Sequence, residues 1–282
     1  MNTIEVKGLS KKFPTFSLNN VSFALEPNTI TGFIGVNGSG KTTTIRLLLG
    51  LCIADCGAVE IFGKTLKDAE KEIKNRIGVV FDEGYFYESL TLNEMKSILA
   101  RAYERWDENQ FKQYCQRFDL NLKQKIETLS KGMRMKYALA LALSHDADLL
   151  IMDEPTSGLD PFIRSELMDI LLEFVAKDGK SVLFSTHITS DLEKIADSLL
   201  LIDRGSIIFH EGKDELLERH VLIKGDSSNL SSNEKRNFLT LKETAYNYTG
   251  LIKRAEIEKL SYKDVVCEKA TVEDIMLAYI GG

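Results

Sequence analysis

The chain alternates between short apolar runs and segments with helical periodicity. Four apolar runs have the length and the β-branched or leucine-rich content of buried strands: TITGFI, RIGVVF, DLLIMD and KSVLFST. Amphipathic helical patterns follow the first and the third of these runs, as KTTTIRLLLGL and PFIRSELMDILLEFVAK. This alternation predicts an α/β fold in which a mostly parallel sheet is covered by helices on both faces.

Two stretches depart from the alternation. Between about residues 90 and 145, three successive segments have helical period, LNEMKSILARAYERW, ENQFKQYCQRF and MRMKYALALALS, which predicts a helical insertion. Near the end, a short helix and a strand precede a polar segment at 226–237 that we expect to be a surface loop, and Thr271 is a suitable N-cap for a closing helix. We therefore expect a main domain at 1–212 and a small α/β appendage at 213–282.

Composition and charge exclude several classes of protein. The net charge of -6 argues against a broad basic face, so no nucleic-acid partner is expected. No apolar run reaches the ~18 residues of a membrane-spanning helix, and the N-terminus has no apolar core of signal-peptide length. The 4 cysteines form no CxxC pair, so we expect free thiols in a reducing compartment and a cytoplasmic chain.

A glycine-rich loop follows the first apolar run. Gly35, Gly40, Lys41 and Thr42 fit the GxxxxGK(S/T) pattern, in which backbone N–H groups, a helix N-terminus and a lysine surround phosphate oxygens. The alternative is a glycine turn with a solvent-exposed lysine, which the predicted strand before it and helix after it disfavour. We expect a nucleoside triphosphate here, with the Thr42 hydroxyl on Mg²⁺. The remaining contacts are expected from Asn37, Gly38, Ser39 and Thr43.

Acidic residues and a histidine end two of the other apolar runs. Asp153 follows its predicted strand at the end where open α/β sheets bind ligands, and it is expected to hold Mg²⁺. Glu154 can orient and deprotonate a water for attack on the γ-phosphate. Acids are also common at strand ends, but the phosphate loop favours the catalytic interpretation. His187 is a candidate γ-phosphate contact, although a lone histidine there is more often structural.

A second predicted helix N-terminus can also bind an anion. Ser130, Lys131 and Gly132 stand immediately before an amphipathic helical pattern. The free N–H groups and the positive dipole end of such a helix favour negative charge. One phosphate loop does not need a second anion site in its own subunit, which points to a shared site.

Together these elements resemble the nucleotide-binding subunits of ATP-binding-cassette (ABC) transporters. LSKGM (129–133) is similar to the LSGGQ signature of that family, SGLD (157–160) matches its D-loop, and His187 falls at its switch histidine. The resemblance covers about residues 3–225, with the motifs in the order that the family has. It implies a P-loop ABC ATPase with a mixed sheet that binds ATP and Mg²⁺.

The resemblance also implies a dimer. In the family, two subunits face head to tail, and each ATP lies between the phosphate loop of one subunit and the signature of the other. Ser130 and Gly132 are then expected to contact a nucleotide held by the second subunit. Asp160, the last residue of the D-loop, is expected among the nucleotide contacts as well.

Two positions depart from the family pattern or vary it. Asp82 (or Glu83) stands where the family usually has Gln, so a shorter, charged side chain is expected to contact Mg²⁺ or water and coupling to a membrane partner is expected to differ. The adenine-stacking aromatic, commonly Tyr, corresponds to Phe13, which keeps the π-face. Phe16 is a weaker candidate for that contact, and packing in the core is the alternative for either ring.

Within the family, LSKGM, residues 101–120 and the ending ATVEDIMLAYIGG are most similar to subunits that pair with separate six-helix exporter permeases, including exporters of phenol-soluble modulins. This implies a polytopic permease and a second nucleotide-binding subunit as partners, at the inner face of the cell membrane. The aromatic stretch at 82–92 is expected either to receive a permease helix or simply to pack the helical insertion. The alternative function is a soluble, non-transport ABC ATPase of the iron–sulfur-assembly type.

Overall fold

The computed structural model describes residues 1–82, 85–259 and 265–280. In the described chain the strands are β1 (Ile4–Lys12), β2 (Ser17–Leu25), β3 (Ile30–Ile34), β4 (Cys56–Ile61), β5 (Lys64–Thr65), β6 (Ile77–Phe81), β7 (Leu149–Asp153), β8 (Ser181–Thr186), β9 (Ser198–Asp203), β10 (Ser206–Gly212), β11 (His220–Asp226), β12 (Phe238–Glu243), β13 (Asn247–Lys253) and β14 (Val266–Lys269). The α-helices are α1 (Lys41–Leu48), α2 (Leu66–Asn75), α3 (Leu92–Ala100), α4 (Glu108–Arg117), α5 (Lys131–Leu143), α6 (Pro161–Val175), α7 (Thr189–Ile195), α8 (Lys213–Arg219) and α9 (Val272–Ile280).

A six-stranded sheet with the order β10-β9-β3-β8-β7-β6 forms the centre of the molecule. β9, β3, β8, β7 and β6 pair in parallel, whereas β10 pairs antiparallel with β9. Every residue of β3, β7 and β8 is buried, as expected for parallel strands covered on both faces. The prediction of an α/β fold with a mixed sheet is therefore confirmed.

Two cores lie on opposite faces of this sheet. On one face, α1 and the antiparallel sheet β2-β1-β4-β5 pack around residues such as Phe33, Ile45 and Ile151. On the other face, residues of α5, α6 and α7 pack with Met152, and Leu192 of α7 belongs to this second core. Ile151 and Met152 are neighbours on β7, and they enter different cores because successive side chains of a strand point to opposite faces.

The helical insertion differs from its prediction at one boundary. The helical period extends over residues 92–106, but α3 ends at Ala100. The chain then turns so that the ring of Tyr103 stacks on His145 with centroids 3.8 Å apart. Asp107 follows as the N-cap of α4, where its carboxylate accepts hydrogen bonds from two N–H groups of the first turn. The Tyr103–His145 stack and the Asp107 cap thus replace the helix that the periodicity predicts for residues 101–106.

The C-terminal part forms a third, antiparallel sheet with the order β12-β13-β11-β14. The sequence pattern predicted only β11. The expected surface loop at 226–237 contains short 3-10 turns at Ser227–Asn229 and Glu234–Asn237, and it contributes Leu230 to a small core. The expected cap of α9 is present, because the N–H of Asp274 donates to Thr271 Oγ1. The domain boundary near residue 212 stays a prediction.

No helix within residues 1–82, 85–259 and 265–280 is both long enough and apolar enough to cross a bilayer.

Candidate functional site

The loop between β3 and α1 is shaped by its glycines. A Cβ on Gly35 would lie 2.4 Å from the carbonyl oxygen of Ile202 and 2.6 Å from Ser39 Oγ, so a larger residue does not fit. Gly40, the N-cap of α1, has a φ of 121°, which side chains with a Cβ rarely adopt. The loop therefore leads directly into the N-terminus of α1, where unpaired N–H groups favour an anion.

Lys41 lies beneath this loop and is only 5% exposed. Its Nζ donates to the carbonyl oxygen of Gly35 at 2.7 Å and lies 3.1 Å from Oε1 of Glu154. A buried ammonium group needs a compensating negative charge, since burial without one is costly. Glu154 provides that charge here, at the place where the sequence predicts a phosphate group.

Glu154 is held from two sides at the C-terminal edge of the central sheet. Its Oε1 faces Lys41, while its Oε2 accepts hydrogen bonds from Nδ1 of His187 at 2.7 Å and from the His187 N–H at 3.3 Å. Its own N–H donates to the carbonyl oxygen of Ser185 on β8 at 3.0 Å. The Glu154 backbone has a φ of 51°, an uncommon value for a residue with a side chain, and such conformations concentrate at functional sites.

Asp153 lies beside this pair at the end of β7. Its side chain is buried, and Oδ1 accepts a 2.6 Å hydrogen bond from Ser185 Oγ. This hydrogen bond fixes the carboxylate, which is what a ligand to a divalent cation requires. The structure thus places both predicted acids at one edge of the sheet, with the phosphate loop adjacent through the contact between Lys41 and Glu154.

Asp82 reaches the same edge from β6, because the register pairs Phe81 with Asp153. Its Oδ1 forms an ion pair with Nζ of Lys131 at 2.5 Å. The carboxylate therefore contacts the signature segment of its own chain. Glu83, the other residue proposed for this position, lies outside the described residues.

A groove of about 650 Å³ lies over the phosphate loop. It is lined by the predicted residues Phe13, Asn37, Gly38, Gly40, Lys41, Thr42, Thr43 and Glu154, and also by Phe16. Sequence reasoning missed Pro14, Thr15, Arg46 and Cys52, which line it as well. Arg46 stands one helical turn after Thr42 on α1, and this spacing is the signal that could have identified it. Both aromatic candidates for adenine stacking thus lie in the groove.

Within the described chain, the other predicted nucleotide contacts do not line this groove: Gly35, Ser39, Asp82, Ser130, Gly132 and Asp160. Ser130 is the N-cap of α5, and its Oγ accepts a hydrogen bond from the N–H of Met133 at 3.2 Å. A Cβ on Gly132 would lie 2.4 Å from Cδ1 of Ile163, so the first turns of α5 and α6 pack closely. Asp160 caps α6 by accepting from two N–H groups of its first turn. Its nucleotide contact stays a prediction beside this capping role.

The groove fits a triphosphate and a magnesium ion. The hydroxyl oxygen of Ser39 is buried and has no hydrogen-bond partner among the described residues, and Lys41 supplies a buried positive charge. Within the described chain no three His, Cys, Asp or Glu side chains converge on a metal site. Mg²⁺, however, commonly takes one or two protein oxygens together with phosphate oxygens. Thr42 and Asp153 supply oxygens of that kind.

Comparisons with known proteins agree with this geometry. Residues 18–157 match the family model "ABC transporter". The chain is 28% identical over 289 residues to the ABC transporter ATP-binding protein YtrB of Bacillus subtilis (strain 168), covering 99% of this chain and 98% of YtrB. It is 34% identical over 206 residues to the bacitracin transport ATP-binding protein BcrA of Bacillus licheniformis, covering 72% of this chain and 67% of BcrA.

A solved structure, described as the ATP binding subunit of an ABC transporter, has a TM-score of 0.68 to this chain at 29% identity. The match covers 76% of this chain and 91% of the chain in that structure. The motifs, the glycine-shaped loop and these relatives all lead to the same assignment. The chain belongs to the ATP-binding subunits of ABC transporters.

Proposed function

We propose that this chain binds and hydrolyses ATP in the groove over its phosphate loop, and that hydrolysis drives a permease. The position of Glu154 between Lys41 at 3.1 Å and His187 at 2.7 Å is the observation that carries this proposal. An incoming γ-phosphate replaces Glu154 as the anionic partner of Lys41. Glu154 is then free to orient a water and accept its proton, while His187 fixes the other carboxylate oxygen.

Thr42 and Asp153 are the residues that we propose to hold Mg²⁺. When bound, the ion neutralises part of the charge on the phosphate groups. Ser185 supports this role, since its hydroxyl holds Oδ1 of Asp153 at 2.6 Å. Phe13 and Phe16 line the same groove and offer apolar ring faces to the adenine base.

A second nucleotide-binding subunit, either an identical or a closely similar chain, is proposed to complete each site. Ser130 is exposed at the N-terminus of α5 and can donate its hydroxyl proton to a phosphate on another subunit. Phe162, which follows the D-loop on α6, is 76% exposed. A second subunit that docks on the first turns of α5 and α6 would bury this ring.

The permease is proposed to dock in a smaller apolar groove of about 180 Å³ between β6 and the helical insertion. Aromatic and aliphatic side chains dominate its lining, among them Phe81, Tyr85, Phe86, Met95 and Leu99. Such a groove can receive one or two apolar side chains of a short amphipathic helix. We place the chain at the cytoplasmic face of the membrane and propose export of peptides or other amphipathic compounds, which the name of the relative BcrA, a bacitracin transport protein, supports.

Steady-state ATP hydrolysis by purified protein tests the enzymatic proposal. Glu154→Gln is expected to lower kcat by about 10²- to 10⁴-fold, because the amide cannot accept the proton of the water. Glu70→Gln is the matched control, since Glu70 is an exposed glutamate paired with Lys74 on α2. Full activity of Glu154→Gln would show that another group is the base. A wild-type chain that binds no ATP would overturn the whole proposal.

Affinity purification from detergent-solubilised membranes tests the transport proposal. The wild-type chain is expected to recover a polytopic membrane protein, and Tyr85→Glu is expected to lose it because a charge enters the apolar groove. A thermal unfolding curve shows whether the variant is folded, as expected for a side chain that is 67% exposed. Recovery of soluble scaffold proteins in place of a membrane protein would favour the non-transport alternative.

A further inference from the structure

The ion pair between Asp82 and Lys131 joins two positions at which this chain departs from the ABC motifs. Lys131 stands inside the signature where LSGGQ has a glycine, and Asp82 stands where the family usually has Gln. Their Nζ and Oδ1 atoms are 2.5 Å apart. We propose that Lys131 is a positioning residue that neutralises Asp82 and thereby makes a carboxylate at that position compatible with ATP. This inference rests on the proposed ATP site.

The charge balance of the sheet edge shows why Asp82 needs a cation. The register of β6 and β7 brings Asp82 to the same sheet edge as Asp153 and Glu154, so three acidic residues lie at this edge. A triphosphate would add several further negative charges, and like charges repel more strongly the less water separates them. Oδ1 of Asp82 is buried, although the side chain as a whole is 33% exposed, so solvent screens its charge only in part. A Gln at this position brings no such charge.

The Lys131 side chain also lies against a third motif, the D-loop. A Cβ on Gly158 would lie 3.4 Å from Nζ and 3.5 Å from Cδ of Lys131, so the lysine stem runs across this glycine of the D-loop. Gly158 has a φ of 68°, a left-handed value that favours glycine. The signature and the D-loop are the segments proposed to face the second subunit. A subunit that docks there therefore contacts the segments that hold Asp82 in place.

A second contact involves Tyr85, the first described residue after residues 83–84. Arg46, which lines the groove over the phosphate loop, donates a 3.0 Å hydrogen bond to the hydroxyl of Tyr85. Tyr85 lines the apolar groove proposed for the permease. The described residues on either side of residues 83–84 are thus attached to the signature at Asp82 and to α1 at Tyr85.

A double-mutant cycle on ATP affinity tests the proposal. The parent is Glu154→Gln, measured with a fluorescent ATP analogue and Mg²⁺, so that hydrolysis does not interfere. Lys131→Met keeps the aliphatic stem over Gly158 and removes only the charge. We expect it to weaken binding by about 3- to 5-fold, whereas Lys131→Arg stays within about 2-fold of the parent. Raised salt concentration should narrow the difference between Lys131→Met and the parent.

The decisive comparison repeats Lys131→Met in a chain that also carries Asp82→Asn. There we expect the lysine substitution to change affinity by less than about 2-fold, because no carboxylate remains to neutralise. Lys64→Ala is the matched control, since Lys64 forms an exposed ion pair with Glu72 away from the groove. An equal loss in both backgrounds would overturn the inference and leave the ATP site standing. A parent that binds no ATP would instead remove the proposed function itself.

Discussion

Lys41 and Glu154 form an ion pair that the proposed binding of ATP would break. The two side chains are 5% and 16% exposed, so each is largely removed from solvent and depends on the other for charge compensation. The same carboxylate is the proposed base, so the ion pair with Lys41 engages it. Under this proposal, binding of the triphosphate would at the same time release the base.

This competition predicts the nucleotide affinity of Glu154→Gln. The amide removes one negative charge beside the phosphate groups and leaves Lys41 without its internal partner. We expect ATP to bind about 3- to 10-fold more tightly than to the wild type. Isothermal titration calorimetry measures the difference, with Glu70→Gln unchanged as the control. Weaker binding by Glu154→Gln would mean that the carboxylate helps to hold the nucleotide.

His145 gives a second prediction at this scale, on stability. The side chain is completely buried against Tyr103, and burial lowers its pKa from 6.5 to about 4. Above pH 6.5 it is neutral whether the chain is folded or unfolded. As the pH falls from 6.5 to about 4, the unfolded chain takes up a proton that the folded chain refuses, so stability is lost by about 3 kcal/mol at most.

The test compares urea unfolding of the wild type and His145→Leu at several pH values. At pH 7 His145 is neutral in both the folded and the unfolded chain, so its burial costs the wild type no protonation free energy. Towards pH 4 the free energy of unfolding of the wild type should fall relative to that of the variant, by up to about 3 kcal/mol. A difference between the two proteins that is constant from pH 7 to pH 4 would contradict the assigned cause.

At the scale of elements, local periodicity predicted the central fold well. β3, α1, β7, α6 and β8 are found where the patterns placed them, because fully buried strands and amphipathic helices carry strong signals in the sequence. β12, β13 and β14 were missed: β12 and β14 bury no side chain fully, and Gly250 interrupts the apolar pattern of β13. The end of α3 at Ala100 depends on the stack between Tyr103 and His145, which involves distant residues.

The same contrast between local patterns and distant contacts applies to the candidate site. The phosphate loop and the pair Asp153–Glu154 were predictable because each is a continuous stretch at the end of a strand. The contact of Lys41 with Glu154 and that of Asp82 with Lys131 join residues far apart in the chain. Those contacts depend on strand order and on how α5 packs, which a single sequence does not encode locally.

The attachment of α9 gives a prediction for an element. The N–H of Val272 donates to Oε1 of Glu193 on α7 at 2.6 Å, and Ile275 belongs to the same core as Leu192. Because this core is continuous with the main sheet, we expect one cooperative unfolding transition for the chain. Ile275→Ala should cost about 2–5 kcal/mol, whereas Leu277→Ala, at a half-exposed position, should change stability by less than about 0.5 kcal/mol.

Thermal unfolding followed by calorimetry and circular dichroism checks this expectation. A single transition that shifts as a whole in Ile275→Ala supports a C-terminal region built onto the main core. Two separate transitions, with only the first shifted by Ile275→Ala, would show instead that the region after residue 212 unfolds independently.

At the scale of the whole molecule, two cassettes share each nucleotide in the proposed assembly. Lys41→Ala removes the lysine that is proposed to bind the phosphate groups. Ser130→Arg places a large charged side chain on the surface that is proposed to face the second subunit. Each variant alone should be inactive. An equal mixture forms some dimers with one intact composite site, so we expect hydrolysis to recover to at most about a quarter of the wild-type rate. Activity no greater than the sum of the separate variants would argue against composite sites.

The central claim is that ATP joins two copies of the cassette through Lys41 of one and Ser130 of the other. The most direct measurement is the molar mass of Glu154→Gln in solution by light scattering, with and without ATP and Mg²⁺. We predict a doubling of mass with ATP, and no doubling when Ser130→Arg is added although that variant still binds ATP. A mass that stays monomeric with ATP bound, or a dimer that forms equally well with Ser130→Arg, would contradict the claim.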